Sequence, residues 1–273
     1  MKNQFELVGG SVIGREHLRV GKNNQDAFCW NVTEAGAVAV VCDGCSSGIH
    51  SEVGAKLGAR IIVEALHRSV EAGMRLEHEE VWQTIQQTLL TQLQQVAALL
   101  GDDRAQTMRD YLLFTITGVV ITSTITAVFV LGDGVIAIND QVIRLGPFPN
   151  NAPPYLAYEL LEENASEALQ IKVLQVLPTE QLQSLLIGSD GVSDLIQVAE
   201  QALPGRSETG GDLANFWQDD RYFRNPDQVR RRLALINREV TVLDKPAQHC
   251  VRQSGLLPDD TTLIVIRRKE ALC

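Results

Sequence analysis

The apolar residues of the chain form two kinds of pattern, which occur in blocks along the sequence. Short apolar runs bounded by glycine- and asparagine-containing turns predict strands, first at Phe5–Val12, Ala27–Val32 and 37–42. Longer segments with apolar residues every three or four positions predict amphipathic helices at 51–70 and at about Glu79–Leu100. We expect both helices to cover a sheet with their apolar faces.

The first predicted helix begins at Ser51, whose hydroxyl is a suitable N-cap. Its side chains Val53, Leu57, Ile61 and Ala65 repeat every four residues and predict the face that packs on the core.

The segment 111–132 carries no charged residue over about the length of a membrane span, so a transmembrane helix is one interpretation. Its threonines and β-branched residues are more typical of extended chain. We therefore predict two consecutive buried strands and no membrane insertion.

The rest of the chain predicts further strands, one helix and one irregular segment. The strands are expected at 135–138, Leu156–Leu160, 168–176, 184–187 and 262–267, and the helix at 226–239. The segment 203–220, with its glycines and proline, is expected to be a flexible surface stretch. Groups of strands followed by long helices predict an α+β fold with an antiparallel sheet, and no boundary divides 1–273 into two domains.

Composition excludes several classes of protein. Of the 273 residues 45% are hydrophobic, and 24 basic against 34 acidic residues give a net charge of −10, which disfavours nucleic-acid and anionic-membrane partners. The arginines at 230–232 fit a solvated helix face. Five cysteines without framework spacing, and an N-terminus unlike a secretory signal, predict a cytoplasmic location.

Acidic residues stand where predicted strands end or begin. Asp43, Asp133 and Asp190 each follow an apolar run and precede a glycine, while Asp259 and Asp260 precede the last strand. A single Asp-Gly pair is typical of a turn. Several carboxylates brought to one rim would repel each other, and a divalent cation relieves that repulsion. Oxygen ligands without a histidine or cysteine cluster favour Mg²⁺ or Mn²⁺ over Zn²⁺.

Five motifs occur in an order that covers nearly the whole chain. They are NNQDAF at 23–28, VVCDG at 40–44, LGDG at 131–134, IGSDGVSD at 187–194 and PDDTTLIVI at 258–266. In this order they resemble the metal-dependent protein phosphatases of type 2C, and SEVGA at 51–55 is most similar to a divergent bacterial branch. The resemblance implies a four-layer α-β-β-α sandwich, with two central antiparallel sheets flanked by helices.

The resemblance also implies a binuclear Mn²⁺ or Mg²⁺ site, with a third, weaker ion. Asp43 corresponds to the carboxylate that bridges two ions and Gly44 to a carbonyl ligand. The other implied positions are Asp190 and Asp259 as core ligands, Asp26 acting mostly through water, and Asp133 and Asp194 at the third ion. The implied activity is hydrolysis of phosphoserine and phosphothreonine in proteins by water that the ions activate, opposed to a Ser/Thr kinase.

Two positions depart from the family pattern. Gly21 stands where an arginine usually grips the substrate phosphate, and Cys45 where a histidine usually donates a proton to the leaving group. Lys22, Arg19 or Arg15 are candidates for the phosphate contact. His17 is a candidate for either role if its strand brings it to the rim, and a surface histidine is the alternative.

These departures leave other functions open. A catalytically weak domain that binds phosphoproteins or partners is the main alternative, and hydrolysis of a small phosphoester is another. The Cys42-x-x-Cys45 spacing also allows a zinc or redox site. That site is disfavoured because the two cysteines enclose the Asp-Gly pair, so Cys42 is expected to be a buried strand residue. The glycine-rich stretch 205–211 is expected to be either a substrate-facing flap or a disordered bulge.

Overall fold

The computed structural model describes residues 1, 3–161, 167–244 and 249–269. Within them the strands are β1 (Phe5–Val12), β2 (Ala27–Val32), β3 (Gly36–Cys42), β4 (Ile116–Thr122), β5 (Ile125–Leu131), β6 (Gly134–Ile138), β7 (Gln141–Leu145), β8 (Lys172–Pro178), β9 (Ser184–Gly188), β10 (Val240–Asp244), β11 (His249–Gln253) and β12 (Thr261–Arg268). The α-helices are α1 (Arg15–Val20), α2 (Ser51–Glu71), α3 (Glu79–Leu100), α4 (Arg104–Thr107), α5 (Gly191–Gln197), α6 (Asn215–Gln218), α7 (Arg221–Arg224) and α8 (Gln228–Ile236).

Ten of these strands form two five-stranded antiparallel sheets, ordered β1-β12-β9-β6-β7 and β2-β3-β4-β5-β8. Strands β10 and β11 pair with each other as a separate two-stranded sheet. Short helical turns of other types lie at Met108–Leu112, Pro149–Asn151, Leu156–Leu160, Glu167–Leu169 and Thr179–Gln181.

Successive side chains of the central strands point to opposite faces of their sheet, and this alternation creates the layers of the fold. In β3, Ala37, Ala39 and Val41 face the other sheet, and the residues between them face the helices α2 and α3. In β12, Ile264 and Ile266 face the same inner layer, while their neighbours pack under α5, α6 and α8. Both strands are therefore buried on two faces, which explains their uninterrupted apolar sequences. The result is the predicted α+β, four-layer α-β-β-α sandwich.

The charge-free segment 111–132 folds as predicted. It contains the hairpin of β4 and β5, whose residues are nearly all buried in the second sheet. Among the described residues no helix is long and apolar enough to span a membrane.

Two details of the predicted helix at 51–70 are wrong. Ser51 does not cap α2, because it is the first helical residue and His50 occupies the N-cap position; the Ser51 hydroxyl accepts a hydrogen bond from Nε2 of Gln25. The fully buried face contains Ala55, Ala59 and Leu66, with the predicted stripe only partly buried. Small residues allow α2 to lie close to the sheet, and Leu57 and Ile61 of the predicted stripe line a groove together with residues of α3.

Three predicted segments differ from the structure. Leu156–Leu160 is a 3-10 helix rather than a strand, and the strand expected at 168–176 begins only at Lys172. The segment 203–220 contains α6, which buries Phe216 and Trp217 against the first sheet. The prediction of a flexible surface stretch is therefore wrong. It failed because the glycines and polar residues around Phe216 and Trp217 give no sequence signal that these two side chains are buried.

Hydrogen bonds hold the glycine-rich stretch 205–211 in place, so the alternative of a disordered bulge is wrong, while the substrate-facing flap stays a prediction. Gly210 and Gly211 donate backbone hydrogen bonds to the chain that follows α5, and Arg232 of α8 donates to the carbonyls of Thr209 and Gly210. These contacts hold the stretch beside α8.

Candidate metal centre

The acidic strand ends meet in one cleft of about 360 Å³, where Asp43, Asp133, Asp190 and Asp259 all lie on the lining. Antiparallel pairing explains the convergence. Strands β3 and β5 both run opposite to β4, so Asp43 and Asp133 emerge at the same end of the second sheet. Strand β12 runs opposite to β9, so Asp259 at the start of one lies beside Asp190 at the end of the other.

Asp26 lies behind the cleft lining at the start of β2 and is 4% exposed. Its Oδ2 accepts a hydrogen bond from Oγ of Ser189 at 2.7 Å, and the same hydroxyl accepts one from the backbone of Thr262 at 3.1 Å. The sequence did not single out Ser189, because a serine before an Asp-Gly turn carries no distinctive signal.

Two carboxylate oxygens of the acidic cluster are buried without a hydrogen-bond partner. Oδ1 of Asp26 and Oδ1 of Asp190 make no hydrogen bond to any described residue. A buried carboxylate oxygen is costly to leave unpaired. These atoms therefore fit a site that accepts a cation.

The acidic groups perturb each other strongly. Burial, followed by the charge of Asp260, raises the pKa of Asp26 to about 8. Burial, followed by the charges of Asp26 and Asp190, holds the pKa of Asp43 well above its ordinary value. Burial and then Asp190 raise the pKa values of Asp133 and Asp259 to about 6. The cluster therefore resists full ionisation in the absence of a counter-charge.

The backbone at Gly44 is held by the segment before β4. Asp43 accepts a hydrogen bond from the backbone N–H of Thr115 at 2.8 Å, and Cys45 donates one to the carbonyl of Leu113 at 2.9 Å. A Cβ atom at position 44 would lie 2.7 Å from the carbonyl oxygen of Gln25. Glycine is therefore required here for close packing.

The structure does not place Asp194 on the cleft lining. This residue lies in the first turn of α5, partly buried, and its pKa is raised by burial and then by the charge of Asp190. Gly191, which opens the same helix, packs tightly, since a Cβ there would lie 2.0 Å from the carbonyl oxygen of Asp260. The charge of Asp190 thus affects the pKa of Asp194, although Asp194 does not line the cleft.

None of the candidate phosphate-binding cations is on the cleft lining, although Lys22 contacts Ser46, which is. Nζ of Lys22 donates to the carbonyl of Ser46, and Arg19 pairs with Glu16 on the outer surface. Arg15 donates to the carbonyl of Gly255 at 2.8 Å. Among the described residues that line the cleft there is no lysine or arginine.

His17 does line the cleft, although it lies on α1 and not on the strand that the sequence suggested. Its Nδ1 lies 2.9 Å from Oδ2 of Asp260. His17, Asp259 and Asp260 are also the group of described residues whose ligand-type atoms all lie within 4.8 Å of one another. Asp43 and Asp190 line the same cleft as His17 and Asp259 without belonging to that tight group.

The opposite wall of the cleft comes from the loop between β7 and β8. Asn150, Pro153, Tyr155 and Tyr158 lie on the lining, and the two tyrosine rings meet edge to face at 5.8 Å. Sequence reasoning missed all four, because the proline-rich loop carries no periodic signal that orients its side chains.

The two cysteines of the C-x-x-C spacing have different environments. Cys42 is fully buried in β3, as predicted. Cys45 is a free thiol on the cleft lining, with Sγ 3.1 Å from Oγ of Ser47. Asp43 and Gly44, the Asp-Gly pair between the two cysteines, both lie on the cleft lining.

The fold is shared with solved bacterial structures. PppA, described as a key regulatory component of T6SS in Pseudomonas aeruginosa, has a TM-score of 0.54 and 17% identity, covering 97% of this chain and 98% of that chain. A bacterial serine phosphatase with an arginine-to-glutamate substitution has a TM-score of 0.54 and 14% identity, covering 97% and 99%. A further bacterial serine phosphatase structure has a TM-score of 0.50 and 13% identity, covering 98% and 100%. At these identities the similarity establishes the fold.

The sequence comparison with known families extends over most of the molecule. No curated sequence matches the chain significantly. The profile of the family described as Protein phosphatase 2C matches residues 13–233, which include Asp26, Asp43, Asp133 and Asp190. Together with the shared fold, this match shows that the chain belongs to the protein phosphatase 2C family.

Proposed function

We propose that this chain is a cytoplasmic Ser/Thr phosphoprotein phosphatase that depends on Mn²⁺ or Mg²⁺, works as one domain over 1–273, and is opposed to a Ser/Thr kinase. The observation that carries the proposal is the convergence of Asp43, Asp190 and Asp259 on one cleft, with Asp26 behind its lining and two buried carboxylate oxygens that lack hydrogen-bond partners. Family membership supports the same chemistry.

The donor set fits hard divalent ions, because it consists of carboxylates and a backbone carbonyl. Asp43, Gly44, Asp190 and Asp259 would hold two core ions, with Asp26 contributing from behind. The third, weaker site would use Asp133 and Asp194. When bound, such ions activate a water molecule and neutralise the charge of a phosphoryl group.

The protein's own residues supply position rather than positive charge. Ser189 fixes Asp26 by a hydrogen bond, and the ladder from Leu113 to Thr115 fixes Asp43 and Gly44. Tyr155 and Tyr158 form the wall against which a substrate chain would lie. His17 is the cleft residue proposed to contact phosphate or donate a proton, whereas Lys22 would have to release Ser46 to reach it.

A second candidate is a metal-binding domain that recognises phosphoproteins but turns them over weakly. Gly21 and Cys45, at the usual arginine and histidine positions, favour it, as does the absence of lysine and arginine from the described lining. A phosphate without a cationic side chain to orient it would be held less firmly.

Turnover and metal binding should be measured separately to distinguish these candidates. Phosphate release from a phosphothreonine peptide is assayed with Mn²⁺ or with EDTA, for the wild type, Asp43→Ala and Asp190→Ala, and Mn²⁺ binding is measured by calorimetry. A phosphatase loses both activity and binding in the two variants. Tight Mn²⁺ binding without turnover favours the second candidate, and equal activity in wild type and variants contradicts the proposal. A panel of small phosphoesters tests whether the physiological substrate is a metabolite.

A further inference from the structure

The short helix α1 is attached to the loop that precedes β12. The backbone N–H groups of Arg15 and Glu16 donate to the carbonyls of Leu257 and Pro258 at 3.0 and 3.1 Å. The N–H of Gly14 donates to Oδ1 of Asp260 at 2.6 Å. Because these bonds involve consecutive residues, they fix both the position and the rotation of α1, and hence the direction of the His17 side chain.

The carboxylate of Asp260 is 2% exposed and makes three contacts, all with residues of the segment 14–25. Oδ1 accepts from Gly14, while Oδ2 accepts from the backbone N–H of Gln25 at 2.6 Å and lies 2.9 Å from Nδ1 of His17. The two backbone donors hold the carboxylate in a fixed position. Nδ1 is buried and makes no hydrogen bond of good geometry to any described residue, Asp260 included, so its contact with this carboxylate is the 2.9 Å ion-pair distance.

This arrangement determines which ring nitrogen of His17 serves the cleft. An unprotonated nitrogen 2.9 Å from a carboxylate oxygen would repel it, so Nδ1 carries a proton and Nε2 is left for the cleft. His17 lies on the cleft lining and Asp260 does not. The carboxylate can therefore act on a substrate only through the imidazole.

We propose that Asp260 is a positioning residue that holds His17 as the proton donor to the leaving oxygen of the substrate. The inference rests on the proposed phosphatase function and identifies how the site works with Gly21 and Cys45 in place of the usual arginine and histidine. A carboxylate that orients an imidazole through Nδ1 is an established way of preparing Nε2 for proton transfer.

The step balances as an ordinary hydrolysis. The oxygen of the attacking water forms a bond to phosphorus, and the bond between phosphorus and the seryl or threonyl oxygen breaks. The bonding pair stays on the leaving oxygen, which takes the proton from Nε2 of His17, so the ring enters the step as the imidazolium, with protons on both nitrogens, and leaves it with its proton on Nδ1. The water that attacked releases one proton to solvent, and His17 regains one from solvent. The products are the free hydroxyl residue and inorganic phosphate.

The donor role predicts a dependence on the leaving group. An alkoxide leaving group needs a proton, whereas p-nitrophenolate is stable without one. General acid catalysis typically contributes about 10²–10⁴-fold. His17→Gln should therefore lower kcat for a phosphothreonine peptide by about 100-fold or more, and kcat for p-nitrophenyl phosphate by less than about 5-fold.

The test uses the full chain with Mn²⁺ and compares His17→Gln, Asp260→Asn and the double variant on both substrates. If Asp260 acts through His17, the two single changes give the same selective loss, and the double variant is no worse than the worse single one. Imidazole added to His17→Ala should restore part of the peptide activity. The matched control is His50→Gln, because His50 is also a histidine next to a carboxylate, 3.7 Å from Glu52, but is absent from the cleft lining.

Two readouts do not depend on turnover. In ¹⁵N spectra of the imidazoles, His17 should carry its proton on Nδ1, and Asp260→Asn should abolish that preference. Calorimetry should give the same Mn²⁺ affinity for the wild type and His17→Gln. A tenfold loss of affinity would instead make His17 a metal ligand and overturn the donor role.

The remaining outcomes separate this inference from the proposed function. If the wild type hydrolyses both substrates and His17→Gln slows them equally or not at all, the donor role is wrong and the phosphatase assignment stands. If the wild type hydrolyses neither substrate while Nδ1 is protonated, both the function and the donor role are overturned, and Asp260 is only a structural anchor. If Asp260→Asn fails to fold, the His17 variants and imidazole rescue still decide the donor role.

Discussion

Replacing Asp133 by asparagine is expected to stabilise the metal-free protein, and to do so more at pH 8 than at pH 5. Asp133 is 7% exposed, and burial, followed by the charge of Asp190, raises its pKa from 3.8 to about 6. The folded protein therefore holds this proton more tightly than the unfolded chain does. As the pH rises, the unfolded chain ionises first, and the folded state loses stability until its own carboxyl ionises.

The magnitude follows from the two pKa values. The difference between the two pKa values corresponds to about 3 kcal/mol in the free energy of unfolding. Roughly half of this stability is lost by pH 5 and nearly all of it by pH 7. An asparagine of the same shape does not ionise. The variant should therefore gain about 3 kcal/mol at pH 8 and about 1.5 kcal/mol at pH 5.

The assay is urea unfolding in EDTA, followed by tryptophan fluorescence and analysed by linear extrapolation. Asp102→Asn is the control, since Asp102 is an exposed aspartate outside the cleft. Excess Mn²⁺ at pH 8 should reduce or reverse the gain, because a cation removes the repulsion that the substitution relieves. An equal gain at both pH values, or a gain no larger than that of Asp102→Asn, would refute the electrostatic reasoning.

Three further predictions test the site and its support. Cys45→His, compared with Cys45→Ser, should raise kcat on a phosphothreonine peptide about tenfold by adding a donor at the usual family position; an unchanged rate would show that the cleft geometry does not admit this donor. Gly44→Ala should lower the free energy of unfolding by about 1–3 kcal/mol, because its Cβ would lie 2.7 Å from the carbonyl oxygen of Gln25; urea unfolding measures this, and a neutral effect would mean the backbone relaxes. Phe216→Ala should cost about 3–5 kcal/mol in the same assay, against less than about 0.5 kcal/mol for the exposed Leu99→Ala; similar values for both would contradict the core role of α6.

Much of the fold could be predicted because its central strands are buried on both faces. The runs at β3, β5 and β12 are apolar at most of their buried positions, with Thr126, Thr261 and Thr262 as buried exceptions, so these strands could be recognised without a periodic pattern. Helix α1 could not be predicted in this way, since none of its residues is buried. It is held by backbone hydrogen bonds to a loop more than 200 residues away in sequence, which a local pattern does not record.

The residues of the site also divide into those that local sequence patterns predict and those that long-range contacts position. The aspartates at strand ends could be anticipated because antiparallel pairing brings those ends together. Tyr155 and Tyr158 could not, because their loop is positioned by long-range contacts such as the one from Gln86 to Glu159 at 2.8 Å. Asp260 was visible in the last motif, but its contact with His17 depends on the docking of α1.

The strand order has a consequence for biosynthesis. β12 lies between β1 and β9, so the first sheet stays split into two parts until residues 261–268 have left the ribosome. The carboxylate that anchors the segment 14–25 arrives with that same stretch. A nascent chain can therefore form the second sheet early, but the pocket is not assembled until β12 is available to pair with β1 and β9.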